Sequence, residues 1–250
     1  MQAPYLVCGA RRSQVMRASL GGGSTPGVTL LTARERWTPS ARRLGIASAI
    51  ALFAIGILYV ATITLWLILQ AAPREPIPDP YLAVMEVLTV FSALALVGMV
   101  IAIWCFADPA HHLPAIATLL FGSTGAVLTA TIHFVQLTAV RQLWRAGHLT
   151  DYRLVWPSSL FAAEYFVWDI LVGLTMACAS FVLAGARGAE YARGALLLSG
   201  VLCLVGVVGP LSGQIVLQNF AVLGYAVGLP LAAALTVSVF RSVPPSSAAA

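Results

Sequence analysis

Three side chains that can exchange protons lie inside long apolar stretches of this sequence: Glu86, His133 and Asp169. An ionisable group in hydrocarbon costs about 2.5–3.5 kcal/mol on insertion scales, so such residues usually face the interior of a helical bundle and mark a site or a pair. Burial favours the protonated form of a carboxyl group, which can then donate a proton. Histidine exchanges protons near neutral pH. The three residues therefore predict an acid–base site in an apolar chamber.

Further polar and aromatic residues of these stretches are candidates for binding a substrate. Residues three or four apart are neighbours on a helix. The pairs with this spacing are His133 with Gln136, Glu164 with Trp168, and Tyr165 with Asp169. Aromatic faces can line an apolar chamber and stabilise a cation. The predicted substrate-binding set is Trp104, Gln136, Tyr165, Trp168, Gln218 and Asn219.

The two carboxylates of the fourth apolar stretch point in different directions. Glu164 and Asp169 are five residues apart, which separates them by about 140° at 3.6 residues per turn. We expect Asp169 in the pocket because it lies deeper, and Glu164 nearer the membrane interface. Two purely structural alternatives stay open. One is a hydrogen bond between His133 and Asp169, and the other is a pairing of Glu86 with Arg141 near the surface.

The elements that position these residues are transmembrane helices. The chain has 250 residues, of which 60% are hydrophobic and 9% charged, and its mean hydropathy is +0.90. Soluble domains carry roughly 25% charged residues, and apolar runs of about 20 residues mark membrane spans. We predict an all-α polytopic bundle over residues 41–240. Disordered tails are predicted on both sides, a basic one over 1–40 and a short one over 241–250.

Prolines, glycines and charges divide the apolar region into six predicted spans. The breaks are the proline-rich segment 71–80, Asp108-Pro109, the polar loops 144–158 and 185–193, and Gly209-Pro210. The predicted spans are 44–70, 81–106, 115–143, 159–184, 194–208 and 211–240. When the spans alternate in direction, the intramembrane polar residues fall in one half of the bilayer. One polar pocket that opens to the outer face or outer leaflet explains this distribution.

The basic residues indicate an orientation with both termini inside the cell. Seven of the 14 basic residues precede the first span, and ten of them lie in segments on the same side as the N-terminus. Such a bias is typical of cytoplasmic loops in a multi-pass protein of the cell (plasma) membrane. The basic tail can also contact anionic lipids. We expect membrane lipid as a partner and no nucleic acid.

We expect neither a metal nor a cofactor. His111 and His112 have no acidic or cysteine partner at a spacing typical of a metal site. There is no lysine, which excludes Schiff-base chemistry. Clustered aspartates of the kind that bind a diphosphate through Mg²⁺ do not occur in the sequence.

Six short segments carry a resemblance to known proteins. They are DPYLAVME (79–86), HFVQLTAVR (133–141), WPSS (156–159), WD (168–169), SGVL (199–202) and GYAV (224–227). As a set they resemble a family of bacterial multi-pass membrane proteins to which no activity is assigned. The resemblance covers about residues 42–241, and it draws attention to Glu86, His133, Arg141 and Asp169. At the level of site type alone, the chain is similar to membrane terpene cyclases and sterol isomerases.

Three functions fit these residues. The first is a lipid-phase enzyme that isomerises or cyclises an isoprenoid-like substrate, with Asp169 or Glu86 as the proton donor and His133 as the relay. The second is a small proton-coupled transporter that uses the same groups, although the sequence shows no internal repeat of the kind common in transporters. The third is a non-catalytic membrane scaffold or partner subunit.

Overall fold

The protein is described by a computed structural model that covers residues 36–69, 77–148, 156–186 and 188–246. Within these ranges the chain is helical, without β-strands. Six helices are long and apolar enough to cross a membrane. They are α1 (Pro39–Leu69), α2 (Tyr81–Phe106), α3 (Pro109–Arg145), α4 (Ser159–Val182), α5 (Glu190–Ser212) and α6 (Ile215–Ser242). The predicted all-α polytopic bundle with six spans is confirmed. Residues 1–35 of the predicted N-terminal tail and residues 247–250 of the predicted C-terminal tail lie outside the described residues.

The six helices form a closed ring. Each helix packs against the next one in the sequence, and α6 packs against α1. One end of the ring, at which α2, α4 and α6 begin, is called here the site face. The other end, at which α1 begins and α6 ends, is called the terminal face. There Arg42 donates hydrogen bonds to the carbonyl oxygens of Phe240 at 2.9 Å and of Arg241 at 2.7 Å. These bonds satisfy carbonyl groups that the end of α6 would leave without partners.

A dry apolar core fills the half of the ring next to the terminal face. All six helices contribute to it. Its largest fully buried side chains are Phe240, Met99, Ile103, Met176, Leu183 and Leu196. The outward faces of the helices are apolar as well, with exposed Leu94, Leu120, Phe134, Leu198 and Leu231. Helices that are apolar all round are typical of membrane spans, because lipid takes the place that water has around a soluble protein.

The third span begins earlier than predicted. Asp108 does not lead into a loop, because its side chain accepts a hydrogen bond at 2.9 Å from the amide of Ala110. This contact caps the 3₁₀ turn Pro109–His111, and the α-helix continues from His112. The predicted start at 115 is therefore wrong, and the two histidines belong to the first turns of α3.

The break between the last two spans also lies elsewhere. It falls at Gly213, whose φ of 74° is left-handed and therefore favours glycine. Pro210 lies in the first turn of the helical segment Val208–Ser212, where the missing amide donor is tolerated. The prediction of a break at Gly209-Pro210 is thus wrong, and α5 reaches four residues further than expected, to Ser212 instead of 208.

Close packing between α5 and α6 depends on two glycines of α6. A Cβ atom added to Gly224 would lie 2.7 Å from the carbonyl oxygen of Ser199 and 2.8 Å from Sγ of Cys203. A Cβ atom on Gly228 would overlap the Ser199 side chain. The Gly224-x-x-x-Gly228 spacing therefore allows two membrane helices to approach closely, as the sequence indicates.

We predict that Gly224→Ala destabilises the protein by about 1–3 kcal/mol, because the added methyl group overpacks the contact with α5. The matched control is Gly194→Ala in α5, where a Cβ atom would meet no described atom within 4 Å. That change should stabilise the helix by about 0.5–1 kcal/mol. Thermal unfolding in detergent measures both effects. A Gly224→Ala protein as stable as the wild type would contradict the tight contact.

Candidate functional site

Three ionisable side chains from three helices meet near the site face. His133 of α3 lies between Glu86 of α2 and Glu164 of α4. Its Nδ1 atom contacts Oε2 of Glu86, and its Nε2 atom lies 2.7 Å from Oε1 of Glu164. Glu86, His133 and Glu164 are 4%, 6% and 8% exposed, so the group is almost closed to solvent. These residues are called here the buried triad.

Glu164 has a second hydrogen-bond partner on its own helix. The indole Nε1 of Trp168 donates a hydrogen bond at 2.5 Å to the same Oε1 atom that faces His133. The two residues are four apart, and the helical pairing predicted for them is confirmed. The other oxygen, Oε2, is buried and has no hydrogen-bond partner within the described part of the chain. Glu164 is therefore held in place through one oxygen only.

The geometry of the triad sets the number of protons that it holds. A ring nitrogen and a carboxyl oxygen form a hydrogen bond only when one of them carries a proton. Two protons are thus needed, either in an imidazolium between two carboxylates or in a neutral imidazole with one protonated carboxyl group. Both states have a net charge of −1. A third proton makes the triad neutral, which an apolar environment favours. The triad is therefore able to take up and release a proton.

A large cavity adjoins the triad. Its volume is about 430 Å³, and it lies in the half of the ring next to the site face. All three triad residues line it, and most of the remaining wall is apolar. Its aromatic lining residues are Tyr59, Phe161, Trp168 and Tyr225. A cavity of this size that combines an apolar wall with a few polar groups is typical of a site for a small molecule.

The most exposed lining residues of the cavity belong to α1 and α6. These helices touch at Gly56 and Pro230, where a Cβ atom on the glycine would overlap the proline ring. Both residues line the cavity, which continues from this contact towards the site face. Large apolar side chains at its edge remain exposed, namely Val60, Val222, Leu223 and Val227. The opening therefore faces the region that lipid occupies.

The structure reverses the predicted places of the two carboxylates of α4. Asp169 is fully buried, and its Oδ1 atom accepts a hydrogen bond at 2.9 Å from Nε2 of Gln218. It is not among the described residues that line the cavity. Glu164 lies in the triad and not at the interface. Depth along the helix was the wrong criterion, because Glu164 is held by its two hydrogen-bond partners, His133 and Trp168.

The two structural alternatives for the triad residues are also replaced. His133 does not pair with Asp169 in the described structure, and Glu86 does not pair with Arg141. Arg141 instead donates to Oδ2 of Asp79, from Nε at 2.9 Å and from Nη2 at 2.6 Å. The ion pair at the start of α2 therefore leaves Glu86 available to His133.

The other predicted binding residues are only partly brought together. Trp168 lines the large cavity, whereas Gln136 lines a smaller cavity beside Glu86. Tyr165 is buried and packs its ring against Phe161 and Trp156, at centroid distances of 4.6 Å and 5.5 Å. These residues all lie near the site face, on the same side of the ring as the triad.

Two predicted binding residues are not among the described residues that line the large cavity. Trp104 is near the terminal face, where the guanidinium of Arg36 lies 4.8 Å from its ring centre. It follows Glu86 by 18 residues in the same helix, which is about 27 Å at 1.5 Å per residue. Asn219 is exposed at the start of α6. The prediction that these two residues line the pocket is wrong.

Several features of the site were missed by sequence reasoning. Tyr59 and Tyr225 line the cavity, and the only signal for them was a hydroxyl group within an apolar run. Three π-helical segments also surround the site: Gln136–Val140 in α3, Phe166–Val172 in α4 and Leu223–Gly228 in α6. Such segments change the direction of side chains and are frequent at functional sites. The sequence contains no signal that predicts them.

Comparisons of the chain with known protein families, with curated proteins and with solved structures found no match. The resemblance to a bacterial membrane-protein family stays a prediction. Fold and site define the class by themselves: a six-span helical membrane protein with a buried acid–base triad in the wall of a cavity that opens towards lipid.

We predict that His133→Ala destabilises the protein by about 3–5 kcal/mol, because it leaves two buried carboxylates without their shared partner. Glu164→Gln should cost less, since the amide oxygen still accepts from Trp168 and no charge is left unpaired. A triple variant that combines His133→Ala with Glu86→Gln and Glu164→Gln should regain part of the lost free energy of unfolding, because both buried charges are removed. Denaturant unfolding in detergent gives the three free energies. No recovery in the triple variant would show that lost packing, not charge, dominates.

A second prediction concerns the pair of Asp169 and Gln218. Asp169→Asn should leave stability unchanged or raise it, because Oδ2 is buried without a partner among the described residues and a neutral amide is easier to bury. Gln218→Leu should cost about 1–3 kcal/mol, because it removes the donor to Oδ1. The matched control is Gln214→Leu, at an exposed position. Melting temperatures that fall equally in the two leucine variants would contradict a specific bond.

Proposed function

We propose that this protein is a lipid-phase enzyme of the cell membrane that performs acid–base chemistry on an isoprenoid-like, unsaturated substrate. The observation that supports the proposal best is the position of the buried triad in the wall of a 430 Å³ apolar cavity that opens sideways. A hydrocarbon chain can enter such a cavity from the bilayer without crossing water. Once inside, it meets ionisable groups at one wall.

The reaction is a proton transfer to a carbon–carbon double bond. A protonated carboxyl group of the triad, Glu164 or Glu86, gives its proton to one carbon, a C–H bond forms, and a carbocation remains at the other carbon. The resulting carboxylate, or His133, then removes a proton from a neighbouring carbon, and the double bond reappears at a new position. Alternatively, a second double bond of the chain attacks the cation, closes a ring and then loses the proton. In both cases the triad regains the proton that it gave.

The walls of the cavity suit a cationic intermediate. The rings of Trp168 and Tyr225 pack in a tilted arrangement at a centroid distance of 5.1 Å, and Tyr59 and Phe161 line the same space. An aromatic face stabilises a cation by about 0.5–2 kcal/mol. Because the triad has a net negative charge after proton donation, its field also favours a cation in the cavity. The apolar wall excludes water, which would otherwise capture the cation.

A proton-coupled transporter of lipophilic molecules is the second candidate, since Glu86 lines a second cavity towards the site face. Transport to the opposite side requires a path through the half of the ring next to the terminal face. That half is filled by the apolar core. The enzyme proposal is therefore preferred.

We predict that the enzyme introduces solvent deuterium into its substrate. Purified protein in liposomes is incubated in D₂O with farnesol, geranylgeraniol or squalene, and the recovered lipid is measured by mass spectrometry. Glu164→Gln should lower the rate by about 10²–10⁴-fold, the usual contribution of a general acid. The matched control is Glu190→Gln, an exposed carboxylate in the first turn of α5, which should keep the wild-type rate.

Two other outcomes decide against the proposal. Folded wild-type protein that adds no deuterium to any of the three probes would exclude this chemistry on isoprenoids. Liposomes loaded with acid test the transporter. If protons leave them only when a lipophilic probe is added, and the recovered probe contains no deuterium, the transporter is favoured.

A further inference from the structure

We propose that a small cavity below the ion pair of Asp79 and Arg141 is the route by which protons reach the buried triad from the site face, with Glu86 as the relay residue. The route supplies the acid of the proposed function and rests on it for its purpose. The route itself is a property of the protein without substrate, so it can be tested separately.

The small cavity lies between the start of α2 and the end of α3. Its volume is about 70 Å³, and its polar lining residues are Asp79, Glu86, Gln136 and Arg141. A buried water needs about 10–15 Å³ of such volume and two to four polar partners. The cavity therefore accommodates a few waters and supplies their partners. It is too small for a lipid chain.

The ion pair lies at the mouth of this cavity. The side chains of Asp79 and Arg141 are 28% and 31% exposed, so they contact both solvent and the cavity. Arg145 adds a longer contact to Asp79, at 3.5 Å. Glu86 lies at the inner end and is only 4% exposed. Polar groups thus lead inward from solvent to the triad.

Glu86 connects the two cavities. It lines both, whereas His133 and Glu164 are found only among the described residues of the large one. A proton that reaches Glu86 from water passes to Nδ1 of His133, while the proton on Nε2 moves to Oε1 of Glu164. One proton enters and one leaves the imidazole, so its charge is unchanged. Glu164, beside Trp168 at the large cavity, is then the protonated member of the triad.

The triad regains its proton in each turnover, so a route to solvent is needed only to load the first proton and to exchange protons with water. The large cavity does not provide that route. That cavity is apolar and opens towards lipid, which delivers substrate and no protons. The charged and titratable groups near Glu86 are His133 of α3 and Glu164 of α4, with Tyr59 of α1 and Tyr225 of α6 across the large cavity. Asp79 and Arg141 complete this set at the mouth of the small cavity. Of these groups, only the two at the mouth reach solvent through the small cavity.

Infrared spectroscopy tests the route without substrate. The absorption band of a protonated carboxyl group is assigned to the triad when Glu86→Gln and Glu164→Gln change it. After H₂O is replaced by D₂O, the rate at which this band shifts gives the rate of proton exchange. Ala83 lines the small cavity, so Ala83→Phe should fill it and slow the exchange of this band by about an order of magnitude. The matched control is Ala54→Phe, an exposed position on α1, which should exchange at the wild-type rate. Ala83→Leu is the smaller substitution should the phenylalanine variant fail to fold.

Exchange as fast in the folded Ala83 variant as in the wild type would overturn the route. It would also be overturned if no Glu86-dependent carboxyl band appears at any pH at which the protein stays folded, because the triad would then take up no proton. If the route exists but the protein is not an enzyme of isoprenoids, Ala83→Phe still slows the exchange while no probe gains deuterium. If only the route is wrong, the probes gain deuterium and the exchange rate does not depend on Ala83.

Discussion

The contact of His133 with two carboxylates inside an apolar bundle constrains the rest of the structure. Each of these groups would cost several kcal/mol to bury alone, and the cost is offset only while the three side chains stay together. Helices α2, α3 and α4 must therefore keep one fixed register. The dry core near the terminal face provides it, since Met99, Val172 and Met176 pack there with almost no exposed surface. One half of the ring thus acts as the scaffold and the other half holds the site.

The large cavity in one half of the ring is compatible with a stable fold because the protein lies in a membrane. In water, a cavity of about 430 Å³ with an apolar side opening would expose surface that favours collapse or association. In a bilayer, a lipid or substrate chain can fill the same space. The triad then lies between two environments, hydrocarbon on one side and a small cavity with several polar lining residues on the other. Chemistry that adds a proton to a hydrocarbon needs this separation, because water in the same space would compete for the cation.

The parts of this arrangement that depend on local sequence were predictable. Helix α2 was predicted over 81–106 and is found there, because Pro80 and Asp108-Pro109 interrupt the helix on either side. The location of Glu86 and His133 in the same half of the bundle followed from counting residues along alternating spans. The choice between Glu164 and Asp169 was not predictable in this way, because it depends on how α4 is rotated against α3. The π-helical segment Phe166–Val172 makes that rotation differ from the one that 3.6 residues per turn implies.

The bond between Asp169 and Gln218 explains why α4 has two buried carboxylates. Glu164 serves the triad, whereas Asp169 joins the π-helical segment of α4 to the first turn of α6. This bond joins the first turn of α6 to α4, shortly after the break at Gly213. Val222 and Leu223 follow Gln218 by about one turn and edge the side opening of the cavity. Trp168, next to Asp169, packs its ring at a tilt against that of Tyr225 of α6 in the same wall. The bond of Asp169 therefore holds α6 to α4 next to the edge of the cavity, although Asp169 itself does not line the cavity among the described residues.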